Sequence, residues 1–194
     1  MCFPDLKGNR IILSSIDKSG LDDMYEYSKN PLLYKYLEFE PQKSINETRD
    51  YLIKLISRSN VDNAHYWFIR LTENRKVIGT FGVHDIDWRK QSAEISYGIS
   101  PDYWGKGHIF EATGLVLEYC FETLNMERIN AVTRKDNLPS ISVLKTAGFE
   151  IEGNLREYYL KYDKTRHDAA ILGLLKRNAK LTRCRVFAKI LCWE

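Results

Sequence analysis

The stretch Ile99-Ser100-Pro101-Asp102-Tyr103-Trp104-Gly105-Lys106-Gly107-His108-Ile109 decides how this chain is read. Before it, Ser92 to Ile99 alternates apolar and polar residues and predicts a strand. After it, Ala112, Leu115, Val116, Tyr119 and Cys120 recur at helical spacing. They predict one long amphipathic helix, Ile109 to Leu124, with that stripe buried. Two glycines stand at the junction. A helix N-terminus carries unpaired N–H groups and the positive end of the dipole. Glycines there let a phosphate reach the backbone. The junction is thus either a pyrophosphate cradle or an ordinary strand-to-helix connection. It is not a P-loop, which needs Gly-x-x-x-x-Gly-Lys-Ser/Thr, nor the Gly-x-Gly-x-x-Gly of dinucleotide folds.

Working outward, Arg10 to Leu13 predicts a short strand and Leu21 to Ser28 a helix closed by Asn30-Pro31. Ser44-Ile45-Asn46-Glu47 has capping-box spacing. It opens a second helix with Tyr51, Leu52, Leu55 and Ile56 as its apolar face. Strands are predicted at Tyr66–Leu71, Lys76–His84 and Arg128–Thr133. A helix spans Asn137 to Ala147 and ends at Gly148. Strands Glu152–Tyr162 and Arg166–Leu175 flank a turn at Asp163 and Lys164. The order β-α-α-β-β-β-α-β-α-β-β is an α+β arrangement, a mixed and mostly antiparallel sheet flanked by helices.

A chain of 194 residues and 22.7 kDa, 44% hydrophobic and 28% charged, suits one domain and excludes a disordered chain. No apolar run reaches membrane-spanning length and Met1–Asp5 is no signal peptide, so a cytoplasmic location is expected. Cys2, Cys120, Cys184 and Cys192 form no Cys-x-x-Cys pair, and His65, His84, His108 and His167 are scattered. Neither a metal site nor a disulfide framework is expected. From Lys176 onward six basic residues face Glu194 alone. That segment therefore carries +5 of a net +3, and the body carries −2. A nucleic-acid protein more often carries its charge on the folded face. The division expected is one folded domain, residues 1–176, and a basic, helical extension, residues 177–194.

This order, with Trp104-Gly105-Lys106-Gly107-His108-Ile109 opening the third helix, resembles the GNAT superfamily of N-acetyltransferases. Asp136-Asn137-Leu138-Pro139-Ser140 leads into a helix ending at Ala147-Gly148-Phe149, which looks like the family's Asn-x-x-Ser helix. Glu152-Gly153-Asn154-Leu155-Arg156 and His167-Asp168 are similar to the branch that acetylates N-terminal alanine of ribosomal proteins. Two positions depart from the family pattern. Trp104 stands where Gln or Arg is frequent, and Ile109 where Gly or Ala is.

The resemblance implies a GNAT-like fold and acetyl-CoA as acetyl donor, with no metal and no nucleic-acid partner. It implies direct attack by a primary amine in a ternary complex: a protein N-terminus, an amino sugar or another small amine. A homodimer is compatible with it. It places the cofactor on Ile99, Trp104, Gly105, Lys106, Gly107, His108, Ile109, Asn137 and Ser140. The Ile99 N–H either polarises the acyl carbonyl or belongs to the strand ladder. Ser140 either meets the leaving sulfur or caps its helix, and Asn137 both caps and faces the cofactor arm. Lys106 either neutralises phosphate or is a solvated lysine.

Glu94 alternates with apolar neighbours and is the candidate general base, or an exposed strand carboxylate. Tyr159 matches a position with a proposed catalytic role and is the candidate acid, with aromatic packing as its other reading. His84 and Asp85 end a strand beside the groove, either reading the acceptor or facing water. Cys120 belongs to the apolar stripe and reads as core. The resemblance implies that Tyr34 to Pro41, between the first two helices, shapes the acceptor site, and its aromatic and acidic residues suit a cationic amine. The alternative function is a non-catalytic CoA-binding sensor or an adaptor acting through the basic tail.

Overall fold

The computed structural model describes residues 3–59 and 63–179. Its frame is an eight-stranded sheet: β1 (Leu6–Lys7), β2 (Ile11–Ser15), β3 (His65–Leu71), β4 (Val77–Asp87), β5 (Ser92–Ile99), β6 (Arg128–Arg134), β7 (Glu150–Leu160) and β8 (Arg166–Leu175). The order across the sheet is β1-β2-β3-β4-β5-β6-β8-β7. Every described pairing is antiparallel except β5 with β6. Parallel neighbours need a crossover, and α3 (His108–Glu118) supplies it. Helices α1 (Leu21–Ser28) and α2 (Ile45–Ser59) lie between β2 and β3 in the chain, and α4 (Leu138–Thr146) between β6 and β7.

Strand alternation divides the apolar residues between two layers. Trp67, Phe81 and Ile129 face α3 and pack with Val116, Cys120 and Phe121. Tyr66 and Phe68 face the other way and pack with Met24, Tyr27, Leu52 and Leu55 of α1 and α2. β3 is therefore apolar on both faces. β7, at the edge, is mostly exposed.

The expected order holds, with four differences. β1 is too short to show periodicity and is held by pairing Leu6 with Leu13. β4 runs past His84 to Asp87 by taking one extra residue into its pairing with β5. The helix expected to run to Leu124 stops being α-helical at Glu118; Tyr119–Thr123 form a π turn. The wider turn buries the consecutive side chains Tyr119, Cys120 and Phe121, and Lys176 Nζ donates to the Phe121 carbonyl at 2.7 Å. At α2, Ser44 Oγ accepts from Glu47 N–H, but Glu47 reaches back to Lys43 N–H (2.8 Å), one residue earlier than the motif expects.

Gly148 has φ +100°, as a left-handed helix stop requires. The helix expected in residues 177–194 lies outside the described residues from 180 onward; Lys176–Asn178 make a single 3-10 turn. Among the described residues no helix is long and apolar enough to cross a membrane.

His65 stacks on Phe3 with ring centroids 4.2 Å apart, and its Nε2 is buried without a hydrogen-bond partner. Burial pushes its pKa from 6.5 down to about 4. Between those values the unfolded chain binds a proton that the folded chain refuses, so stability falls as pH falls through this window. His65→Phe keeps the stack and removes the proton. Urea titrations at pH 7 and pH 4.5 are expected to show a smaller acid loss in the variant than in the parent.

Candidate active site

β5 and β6 are joined only at Ser92↔Arg128, Ala93↔Ile129 and Glu94↔Asn130. β5 stays on β4 as far as Gly79↔Ile99, while β6 turns to β8. The two central strands therefore part after Glu94. Ser100 N–H donates to Ile78 O at 2.8 Å. Antiparallel ladders alternate, so Gly98 and Ser100 turn their backbone groups to β4. Tyr97 and Ile99 turn theirs to the side that β6 has left.

A cavity of about 330 Å³ occupies this opening. Ile99, Trp104, Gly105, Gly107, His108, Ile109, Asn137 and Ser140 all line it. Of the residues expected to hold the cofactor, only Lys106 is absent. Its Nζ lies 5.1 Å over the Tyr103 ring, and its carbonyl accepts from Arg10 Nη1 at 2.8 Å. Gly105 and Gly107 take φ +71° and +79°, which other residues adopt at a cost. No side chain caps α3, whose N-cap is Gly107, so its first N–H groups face the loop. The His108 ring lines the cavity with a buried, unpartnered Nδ1. Burial, then Arg10, holds its pKa below the ordinary value. Ile109 puts its side chain into the core, 8% exposed, so a long residue there does not cover the loop's backbone. Trp104 Nε1 donates to Ile99 O at 3.0 Å and latches the loop to the strand end.

Arg10 had no signal in the sequence. It immediately precedes β2, far from the loop in the chain. Its N–H and Nε bind the Glu111 carboxylate, both at 2.9 Å, while Nη1 holds the Lys106 carbonyl. One side chain thus ties the loop to the first turn of α3.

Asn137 caps α4: its Oδ1 accepts from Ser140 N–H at 3.4 Å, and its Nδ2 donates to Thr133 Oγ1 at 3.2 Å. The Ser140 hydroxyl is free of capping and lies 2.9 Å from the Tyr97 hydroxyl. Burial pushes that phenol up to about 12, so it keeps its proton at neutral pH. Tyr97 had read as an apolar strand position; its partner across the splay reveals its polar end.

A second cavity, about 280 Å³, opens between α1, α2 and the sheet. Tyr27, Tyr34, Tyr51 and Tyr66 line it, with Phe39 and Glu40 from the expected acceptor segment. Arg134, nearly buried, anchors that segment: Nη1 donates to the Lys35 carbonyl (3.3 Å) and Nη2 to Asp136 (2.6 Å). Leu160 N–H donates to Glu38 Oε1 at 2.9 Å, joining the segment to β7. The two cavities meet, since Leu33, Leu37, Tyr97 and Gly98 line both.

An acetyltransferase (GNAT) domain model matches residues 10–150. The chain belongs to the GNAT family of N-acetyltransferases. It is 33% identical over 168 residues to the uncharacterised N-acetyltransferase p20 of Bacillus licheniformis, covering 87% of this chain and 94% of that one. It is 33% identical over 99 residues to the putative ribosomal N-acetyltransferase YdaF of Bacillus subtilis, 51% of this chain and 54% of that one. In fold it is similar to the spermidine N-acetyltransferase of Vibrio cholerae crystallised with CoA and spermine. The TM-score is 0.75 at 21% identity, over 88% of this chain and 98% of that one.

The remaining candidates, Glu94, Tyr159 and Cys120, line neither cavity. Tyr159 packs edge-on against Tyr158 at 5.1 Å; burial, Tyr158, Glu94 and Glu38 all raise its pKa, so it stays protonated. Cys120 is fully buried and its thiol is pushed up to about 12, which leaves it inert. Among the described residues no cluster of three His, Cys, Asp or Glu side chains has the makings of a metal site.

Glu94 is half-buried opposite His84. Burial raises its carboxyl above 4.5, Asp85 adds to this, and His84 opposes it. The folded chain therefore holds this proton to higher pH than the unfolded chain does. Its contribution to stability is lost as pH rises from about 4.5 through the raised value. Glu94→Gln is expected to melt above the parent at pH 7, with the gap closing at pH 4. A variant less stable than the parent at pH 7 would show that the charged carboxylate is held favourably.

Proposed function

We propose that this GNAT protein moves an acetyl group from acetyl-CoA to a primary amine by direct attack in a ternary complex. The observation that carries the reading is the meeting of two cavities at Tyr97 and Gly98, one behind an uncapped helix N-terminus and one lined by tyrosines. Acetyl-CoA supplies, when bound, an acyl group activated as a thioester. The residues fit it: glycines at positive φ keep the loop clear of side chains, free N–H groups of α3 suit a pyrophosphate, and His108 Nδ1 lacks a partner.

The chain's own contributions follow from position. The Ile99 N–H faces the splay and serves to polarise an acyl carbonyl there. Tyr97, protonated and hydrogen-bonded to Ser140 Oγ, holds the proton that a departing thiolate needs as the C–S bond breaks. Asn137 orients Ser140 by fixing the first turn of α4. The amine loses its proton on the acceptor side, where Glu94 and its neighbours lie, and forms the C–N bond. Tyr159 interacts electrostatically with Glu94 from β7 and lines neither cavity. Cys120 takes no part, so no acetyl-enzyme forms. The aromatic walls of the second cavity suit an amine carried on an apolar or aromatic body, approaching as a cation.

Gly105→Asp separates binding from folding. Asp tolerates left-handed backbone, and a Cβ at this position meets nothing within 4 Å. At about a hundred times its dissociation constant acetyl-CoA stabilises the parent by roughly 2.7 kcal/mol. Without ligand the variant is expected to melt slightly below the parent, because φ +71° costs a non-glycine residue, and to lose this gain while remaining folded. Turnover is read as thiol release against spermidine, aryl-alkylamines, an amino sugar and peptides with free N-termini. Tyr97→Phe is expected to lower kcat by about a hundredfold or more with acetyl-CoA affinity retained. A parent that binds acetyl-CoA and acetylates none of these amines would favour the sensor reading.

A further inference from the structure

Adjacent strand residues point to opposite faces, yet the Asp85 carboxylate lies 2.9 Å from Nδ1 of its neighbour His84. The extra residue that β4 carries between His84 and Asp87 makes this possible. Asp85 sits in that bulge at φ +50°, left-handed backbone that a non-glycine residue adopts at a cost. Bulges re-aim side chains, and strain of this kind is retained where the surroundings hold it. On the other side of the ring, His84 Nε2 lies 3.1 Å from Ser96 Oγ. Ser96 is exposed and lines the tyrosine-walled cavity. Gly82 keeps the approach clear: a Cβ there would strike the Tyr66 ring and come within 3.3 Å of Ser96 Oγ.

We propose that Ser96, His84 and Asp85 form a relay that draws the proton of the acceptor ammonium out of the second cavity. The proposal rests on the acetyltransferase reading above. A carboxylate only accepts, so His84 Nδ1 carries the ring proton and Nε2 presents its lone pair to the Ser96 hydroxyl. As the ammonium proton passes to Ser96 Oγ, the Ser96 hydroxyl proton passes to His84 Nε2. The imidazolium so formed faces Asp85, which is exposed and hands the proton on to solvent. The amine keeps its lone pair for the C–N bond, and Ser96 ends the step as it began, unacylated. Ser96 is the group that touches the acceptor, and His84 and Asp85 act through it. The titratable groups facing the ring are Asp85 on its own strand and Glu94 opposite on β5, with Tyr159 of β7 beyond Glu94. Glu94 then favours the imidazolium by its charge and is not the first proton acceptor.

The test uses the full chain, acetyl-CoA and the best amine of the acceptor panel. His84→Gln and Ser96→Ala are each expected to lower kcat/KM for the amine by about a hundredfold or more. Both should abolish the acidic limb of the pH–rate profile and leave the acetyl-CoA melting shift intact. Imidazole in the buffer should restore part of the activity of His84→Gly. Asp85→Asn, which tolerates the left-handed backbone, should lose less. A reading free of activity is the ring tautomer: ¹⁵N spectra, with His84 assigned by its loss in His84→Gln, should show protonated Nδ1 and bare Nε2 in the resting protein. The relay is overturned by a resting Nε2–H tautomer, by an acidic limb lost in Glu94→Gln but kept in His84→Gln, or by an acetyl group trapped on Ser96. A parent that acetylates no amine removes the acetyltransferase reading and the relay with it. A parent that turns over beside an unimpaired His84→Gln removes the relay alone.

Discussion

The parting of β5 from β6 after Glu94 is the constraint on which the site depends. A sheet continued through Ile99 would spend every backbone group of β5 on a neighbour, each ladder bond worth about 0.5–1.5 kcal/mol net. Here β6 keeps β8 on its other edge along seven positions from Arg128 to Arg134, while its β5 edge is left open after Asn130. The opening is stabilised from outside the ladder. Trp104 satisfies the Ile99 carbonyl, the Tyr97–Ser140 contact bridges the gap, and Arg134 at the end of β6 holds the Lys35 carbonyl. The Ile99 N–H remains turned to the cavity, a donor set in place by the fold before any ligand arrives.

Two kinds of backbone strain flank this opening and serve different ends. In the loop, Gly105 and Gly107 take positive φ where glycine adopts it freely, so the turn is left clear of side chains at little cost. In β4, Asp85 takes positive φ without that freedom, and the result is a carboxylate beside His84 that ordinary strand geometry forbids. The first removes side chains from a place where backbone must act. The second brings a side chain to a place where backbone alternation would not put it. Both lie at the ends of β4 and β5, whose long antiparallel pairing holds them rigid.

Burial has sorted the ionisable groups by role. Cys120 and His65 lie in the core, where desolvation keeps them neutral and out of the chemistry. Tyr97 is raised by the same desolvation, but its hydroxyl opens on both cavities, so the retained proton is usable. Glu94, half-buried opposite His84, is also raised by burial, which His84 opposes.

The sequence by itself determined the element order from β2 onward, the buried stripe of the helix after the glycine turn, and the glycine-bearing loop that opens that helix. These depend on local periodicity and on glycine and capping chemistry, which neighbouring residues display. Leu21–Ser28 and Ser92–Ile99 match their expected bounds for this reason, and Asn137 caps its helix as its side chain dictates. Tertiary structure alone decided what needs residues distant in the chain. Arg10 reaches Glu111 and Lys106, Tyr97 meets Ser140, and a single bulge turns Asp85 beside His84, whose ring reaches Ser96. The π turn after Glu118 was likewise invisible, because an apolar stripe at helical spacing reads the same whether the last turn is α or wider. Local pattern specifies which face of an element is buried; which polar atoms meet across the fold depends on register and bulges, and those are set by the packing of the whole sheet.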